Sequence, residues 1–287
     1  MRKKKSKLPE IAKTDRTTLD VGLFKIRSTH ADPVKGEVLT REFESGLIAE
    51  YATTYALSDV DLRIFLAALS LAEIQHQYED NKLDKGTQLD LFREFQALGQ
   101  AKGLEAGYVT ISTWELANAS GIGWGGSQVK RITESLKRMS NVRATIRKGD
   151  RVMSGANMIS FAHHENEENE AEAKIAIAIS PHFAEAIFGV DNVPHIRVNL
   201  HEILQLEHPA AVIIHGMMSS RLSLRGKAAR RHSTDIDKLT NRVYEKTDSA
   251  SVIRNRRRKI QPALEEINML PDWTVDYDSK TRQVPFE

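Results

Sequence analysis

Cysteine is absent from the 287 residues. That excludes disulfides and thiolate-held metal, and it fits a reducing cytoplasm. Long apolar runs are missing as well. The densest, Ile175-Ala176-Ile177-Ala178-Ile179, is strand-sized and well short of the roughly 18 residues a membrane helix needs. The start, Met1-Arg2-Lys3-Lys4-Lys5, is basic but no apolar stretch follows it, so it does not read as a secretory signal. Catalytic signatures are equally scarce. There is no GxxxxGKS/T loop for ATP. The run Gly121-Ile122-Gly123-Trp124-Gly125-Gly126 formally contains GxGxxG, but a dinucleotide site needs a strand before it, whereas Thr113–Ala119 reads as helix. His163-His164-Glu165 lacks HExxH spacing, and no two histidines are separated by a single residue, as a metal-dependent nickase with an activated tyrosine would require. His195, His201, His208 and His215 are scattered and read as structural or surface residues. No catalytic constellation emerges, and neither a metal nor another cofactor is expected.

What the chain does have is segregated charge. The net charge is only +2, but residues 1–16, 127–152 and 219–260 carry +5, +6 and +9. These three segments hold +20, which leaves −18 for the rest. Local positive fields of this kind attract polyanions while the whole protein stays nearly neutral. An ordinary solvated helix face would instead mix both signs at i,i+4 spacing.

At 40% apolar residues and 287 in length, the chain should fold as about two globular domains. Residues 1–20 are polar and basic and read as a flexible tail. Glu37–Phe43 and Leu47–Tyr55 are β-prone runs joined through Glu44-Ser45-Gly46 as a hairpin. Ser58 and Asp61 form a capping-box pattern ahead of a helix that runs to about Tyr78, apolar nearly all round and therefore buried. Tyr108–Ile111 reads as a strand and Thr113–Ala119 as a short helix. After the glycine-rich turn, Ser127 should cap a helix whose Val129, Ile132, Leu136 and Met139 share one face. Ser127, Lys130, Arg131 and Arg138 should point the other way, toward DNA. Strands Val142–Arg147, Met158–Phe161 and Lys174–Ser180 follow. Helix, turn, basic helix and hairpin is the order of a winged helix.

The second half repeats that order: strand His195–Leu200, helix Pro209–Leu222, a short helix capped by Ser233, and a long helix from about Ala250. Strand Trp273–Asp278 should then pair with Arg282–Phe286. The expected fold class is α+β, two tandem winged helices, with an N-terminal domain over residues 21–190 and a C-terminal one over 191–287. In the long helix Ile253, Ile260, Leu264 and Ile267 line one face, and Arg254, Asn255, Arg258 and Lys259 the opposite one. Arg256 and Arg257 flank the apolar stripe. Five cations in six positions without an acid repel one another unless a polyanion compensates. Such a helix can enter the major groove, where arginine reads guanine, asparagine reads adenine and lysine mainly meets phosphate. Ser249 and Ser251 start the helix, whose free N–H groups can also bind phosphate. Pro262 should kink it, leaving the residues before it facing DNA and those after it in the core. Arg225, Lys227, Arg230 and Arg231 in the preceding loop suit phosphate contact.

The chain resembles the iteron-binding initiators of IncQ-type plasmids, the RepC group, from Gly22-Leu23-Phe24 to the last strand. The likeness is carried by Leu57-Ser58-Asp59-Val60-Asp61-Leu62-Arg63-Ile64, His195-Ile196-Arg197-Val198, and Arg256-Arg257-Arg258-Lys259-Ile260 through Trp273-Thr274-Val275. Pro262-Ala263-Leu264-Glu265-Glu266-Ile267-Asn268 is similar to a phrase of the wider theta-type plasmid initiators. The resemblance implies tandem winged helices, binding to direct repeats (iterons) in double-stranded origin DNA, and opening of neighbouring AT-rich DNA. It also implies that helicase and primase are separate proteins. Two features depart from the pattern: the acidic stretch Glu165–Glu172 near the first wing, which should repel phosphate, and Glu134 on the first basic helix. Gln88-Leu89-Asp90-Leu91-Phe92 resembles the pentapeptide that docks bacterial replication proteins on the polymerase sliding clamp. Leu89, Phe92, Phe95 and Leu98 equally fit an amphipathic core helix. The sequence leaves monomer and homodimer open, although the hairpin and the helix near Leu62 offer an interface. A winged-helix transcriptional regulator or autorepressor is the alternative function.

Overall fold

Helix α2 (Asp59–Tyr78) is the element around which the chain packs. Its start is fixed as expected: Ser58 N donates to Asp61 Oδ2 at 2.7 Å and Asp61 N to Ser58 Oγ at 3.4 Å. Leu62, Ile64, Phe65, Leu66 and Leu69 are all buried, so both sides of the helix are covered. The computed structural model describes residues 10–26, 37–42, 46–78, 107–163, 174–180, 195–222, 232–245, 247–277 and 283–286. Among these, helix and strand are mixed in an α+β arrangement. None of the described helices is long and apolar enough to cross a membrane.

In the first half, β4 (Gly107–Ser112) leads directly into α3 (Thr113–Ala119). The turn between them is set by a reciprocal cap: Glu115 N donates to Ser112 Oγ at 3.2 Å, and Ser112 N to the Glu115 carboxylate at 2.9 Å. The glycine-rich turn follows. Gly121 has φ +67°, which favours glycine, and a Cβ there would lie 2.6 Å from Leu204 Cδ2 and push that methyl aside. Helix α4 (Gly126–Ser140) comes next. Its N-cap is Gly125, without a side-chain bond; Ser127 sits inside the first turn rather than at the cap. Ile132, Leu136 and Met139 are buried on the expected face.

Beyond α4, β5 (Arg143–Lys148) and β6 (Arg151–Asn157) form a hairpin that joins β2 (Glu37–Glu42) and β3 (Leu47–Thr53) in an antiparallel sheet of order β2-β3-β5-β6. β7 (Ile159–His163) and β8 (Lys174–Ile179) return to β4, giving a second sheet of order β4-β8-β7.

The second half holds β9 (His195–Asn199), α5 (Leu200–Gln205), α6 (Pro209–Arg221), β10 (His232–Asp235), α7 (Ile236–Val243), α8 (Ala250–Asn268) and β11 (Gln283–Phe286). β10 pairs antiparallel with β11, and Val275 bridges Phe286 on the far side. The order is therefore β10, β11, Val275, matching β4, β8, β7. Of the expected strand Trp273–Asp278, the described residues 273–277 show that bridge and one bond, Asp276 N to Pro285 O at 3.2 Å. Helix α7 is capped by Asp235, which accepts from Asp237 N and Lys238 N, and not by Ser233, which lies in β10 and bonds Gln283.

The start of the chain differs from expectation. Residues 11–20, assigned to a polar tail, form β1 (Ile11–Asp15) and α1 (Arg16–Asp20). β1 pairs antiparallel with β9 from Ile11↔Asn199 to Asp15↔His195. Ala12 and Thr14 alternate inward, small enough to pack against the layer formed with α2. Lys13 turns outward to Glu73 at 2.5 Å.

The halves share one buried core. Arg63 of α2 donates to the carbonyls of Ile203, at 2.8 Å, and Leu206. From the other side Glu266 of α8 accepts the N–H groups of Glu207 and His208, the latter at 3.0 Å. The segment between α5 and α6 is thus gripped from both directions.

Candidate nucleic-acid interface

Helix α8 divides in two. Its second part is anchored by buried Ile260, Ala263, Leu264 and Ile267, while none of residues 250–259 is buried. The helix continues across Pro262, whose ring is exposed; the change from solvent to core falls at Ile260. The first part therefore stands on the surface as a basic rod, held by its continuation into the core.

Two of its five cations are tethers. Arg256 donates to the carbonyl of Glu245, with its guanidinium 5.2 Å from the Tyr244 ring centroid, a cation–π contact. Arg257 is ion-paired with Asp237 of α7. Both had been expected to touch DNA; in the structure both fasten α8 to the preceding segment. Arg254, Asn255, Arg258 and Lys259 are exposed, and none has a hydrogen-bonding or ionic partner among the described residues. The pairs 254/258 and 255/259 are each one turn apart, so the four form a continuous ridge. At the start of the helix, Ser249 makes no side-chain cap bond, and its Oγ lies 3.0 Å from that of Ser251. The first N–H groups of α8 thus keep their capacity to bind an anion.

On α4, Ser127, Lys130 and Arg131 are exposed as expected, beside Glu134 and Lys137. Arg138 is a correction. It turns inward, placing Nη2 2.7 Å and Nε 3.2 Å from the Asp61 carboxylate, which is fully buried and also receives Ser135 Oγ and Ser58. The reason is energetic: a carboxylate out of water needs a cation and several donors, and the half-buried Arg138 guanidinium supplies both. Nearby, burial raises the Asp59 carboxyl above its ordinary value, against the charges of Arg63 and Arg131.

Trp114 at the start of α3 and Trp124 in the glycine-rich turn are 46% and 44% exposed. Sequence reasoning did not single them out; an indole among four glycines was the available signal. They add exposed apolar surface to the segment that runs from α3 through the glycine-rich turn into α4. Arg225, Lys227, Arg230 and Arg231, the acidic stretch 165–172 and the motif Gln88–Phe92 lie outside the described residues.

A family model, Replication protein C (RepC), matches residues 5–283. The chain belongs to the RepC family. As a RepC-family member it has a replication-initiator role, with origin DNA as its ligand. No curated protein matches the chain. Among solved structures it is similar to a selenomethionine derivative of domains 2 and 3 of RctB, at 11% identity and a TM-score of 0.53, over 95% of this chain and 97% of that one. A second structure of RctB domains 2 and 3 aligns at 12% identity over 90% of this chain and 91% of that one, with a TM-score of 0.45. The first likeness extends over nearly the whole chain and is one of fold.

Proposed function

We propose that the chain initiates plasmid replication by gripping direct repeats in double-stranded origin DNA through two winged helices, with α8 as the principal reader. The first module would comprise α2, β4, α3, α4, β7 and β8 within residues 21–190. The second would comprise α6, β10, α7, α8 and β11 within 191–287, with β1 stitched onto it. The matching strand orders, β4-β8-β7 and β10-β11-Val275, support this pairing. The observation that carries the reading is the ridge of Arg254, Asn255, Arg258 and Lys259, exposed and without partners among the described residues, on a helix whose far end is fixed in the core. A helix has the width of the major groove, and these residue types match guanine, adenine and phosphate.

Ser249 and Ser251 at the helix start, and Arg225, Lys227, Arg230 and Arg231 before it, would take backbone phosphates. Ser127, Lys130 and Arg131 of α4 would make the contacts of the first module. Binding to several repeats would load strain onto adjacent AT-rich DNA and open it, with helicase and primase arriving as separate proteins and Gln88–Phe92 docking the sliding clamp. Footprinting on the DNA around the chain's own gene tests this: protection of direct repeats beside an AT-rich tract supports it, and protection of a single inverted repeat over a promoter overturns it in favour of a regulator.

A further inference from the structure

A cleft of about 530 Å³ opens where β2 and the turn after α1 meet α6 and α7, and none of its lining residues belongs to α8. Its walls are unevenly charged. Lys25, Arg221, Lys238 and Arg242 line it, and among the described residues no aspartate or glutamate does. Behind the wall stands Asp20, fully buried, on which three arginines converge. Arg41 reaches its carboxylate at 2.8 Å and Arg221 at 3.0 Å, while Arg242 donates to its backbone carbonyl. Asp20 thus orders three guanidinium groups, two through its carboxylate and one through its backbone carbonyl, and Arg221 and Arg242 border the cleft. Arg242 is held below the ordinary arginine value by burial and then by the charge of Arg41, which Asp20 opposes, with Arg221 adding to the repulsion. Thr40, Thr234 and Asn241 add short polar side chains, and Val21, Leu39, Met217 and Leu239 an apolar surface.

We propose that this cleft binds the phosphate group of a small, partly apolar phosphorylated molecule, of the nucleoside phosphate class. Pre-positioned guanidinium groups suit phosphate oxygens because their geometry is already fixed before the ligand arrives. The volume falls in the range of small-molecule sites, which favour junctions between domains. Since β2 belongs to the first half and α7 to the second, an occupant would bridge them and stiffen the joint.

The test is isothermal titration of the full chain, without DNA, with ATP and with inorganic pyrophosphate. Both should bind saturably. Lys238→Glu, at an exposed position that leaves the fold intact, should weaken both by about tenfold or more, the worth of one charge-assisted contact. Arg242→Gln, checked by thermal melting, should weaken them further. Absence of binding by both phosphates, or binding undiminished in Lys238→Glu, overturns the proposal. If neither phosphate binds and Lys238→Glu instead weakens duplex DNA of any sequence, the cleft serves the DNA backbone and the small-ligand assignment is wrong. The titration needs no DNA, so its outcome is independent of whether α8 reads repeats.

Discussion

Arg258→Ala separates base reading from folding. Arg258 is exposed and has no partner among the described residues, so its loss should alter stability by no more than about 0.5 kcal/mol. Thinning a run of like charges should, if anything, raise the melting temperature slightly, by the few tenths of a kcal/mol that such neighbours cost. On DNA the loss should be larger. A bidentate arginine–guanine contact is worth about 1–3 kcal/mol, or about 5- to 140-fold in affinity. Arg257→Ala provides the contrast, since Arg257 already holds Asp237 and the two side chains are 39% and 32% exposed. A pair so open to water is worth about 0–1 kcal/mol, and its removal should loosen α8 without selective loss of the cognate site. Fluorescence anisotropy over a range of salt, on an origin fragment and on a scrambled duplex of equal length, would measure both. Arg258→Ala should weaken the origin fragment far more than the scrambled one. Equal losses on the two duplexes, or a marked fall in melting temperature, would refute the assignment of Arg258 to a base edge.

Three further outcomes follow from the same geometry. Asp61→Ala removes a buried acceptor of Ser58, Ser135 and Arg138 and should cost about 3–5 kcal/mol in urea unfolding; Arg138→Ala should destabilise while leaving cognate preference unchanged. Glu202 is raised by burial, but bonds from His215, Trp273 and Asn199 outweigh that and hold its carboxyl below the ordinary 4.5. A group depressed in the folded state contributes stability above its unfolded value and loses it as pH falls through the folded one, so Glu202→Gln should flatten the acid limb below about pH 4.5, as read by thermal melts; an unchanged acid limb would contradict it. Replacing Leu91 and Phe92 together with alanine should abolish sliding-clamp binding in a pull-down while the circular dichroism spectrum stays native, and retained binding would return the motif to the core.

Local signals carried much of the fold. Ser58 with Asp61, the helix Thr113–Ala119 and the buried stripe of Ile132, Leu136 and Met139 were legible because each is decided within a few residues. The exposed ridge of α8 was legible for the same reason, since 3.6-residue periodicity sets which side chains oppose Ile260 and Leu264. Pairings between distant segments were not legible. Ile11–Asp15 has no apolar run to mark it as a strand; it becomes one because β9 offers an edge and α2 a surface. Periodicity put Arg138 on the outer side of α4, but its partner Asp61 lies 77 residues away, and a buried carboxylate outbid solvent for it. Arg256 and Arg257 show the same limit: spacing identifies cations beside the apolar stripe but says nothing of the carbonyl of Glu245 or the carboxylate of Asp237 that engage them.

Those tethers bear on how a highly charged helix can serve recognition. Residues 250–259 bury no side chain, so nothing in the core fixes their direction locally. Direction comes from the anchored half beyond Ile260 and from Arg256 and Arg257, which spend their charge on the preceding segment and hold the helix against it. The remaining cations are then presented at set angles, which lowers the ordering cost that docking would otherwise incur. The same logic extends between the halves. Glu266, on the anchored part of α8, accepts from residues 207 and 208, and Arg63 of α2 donates to residues 203 and 206, so α8 and the first helix-turn-helix hang from one short segment. Gly121, in the turn of that helix-turn-helix, packs against Leu204 of the same segment. Two basic helices carried on a shared joint keep a fixed separation and angle, which is the property that the proposed grip on origin repeats would require.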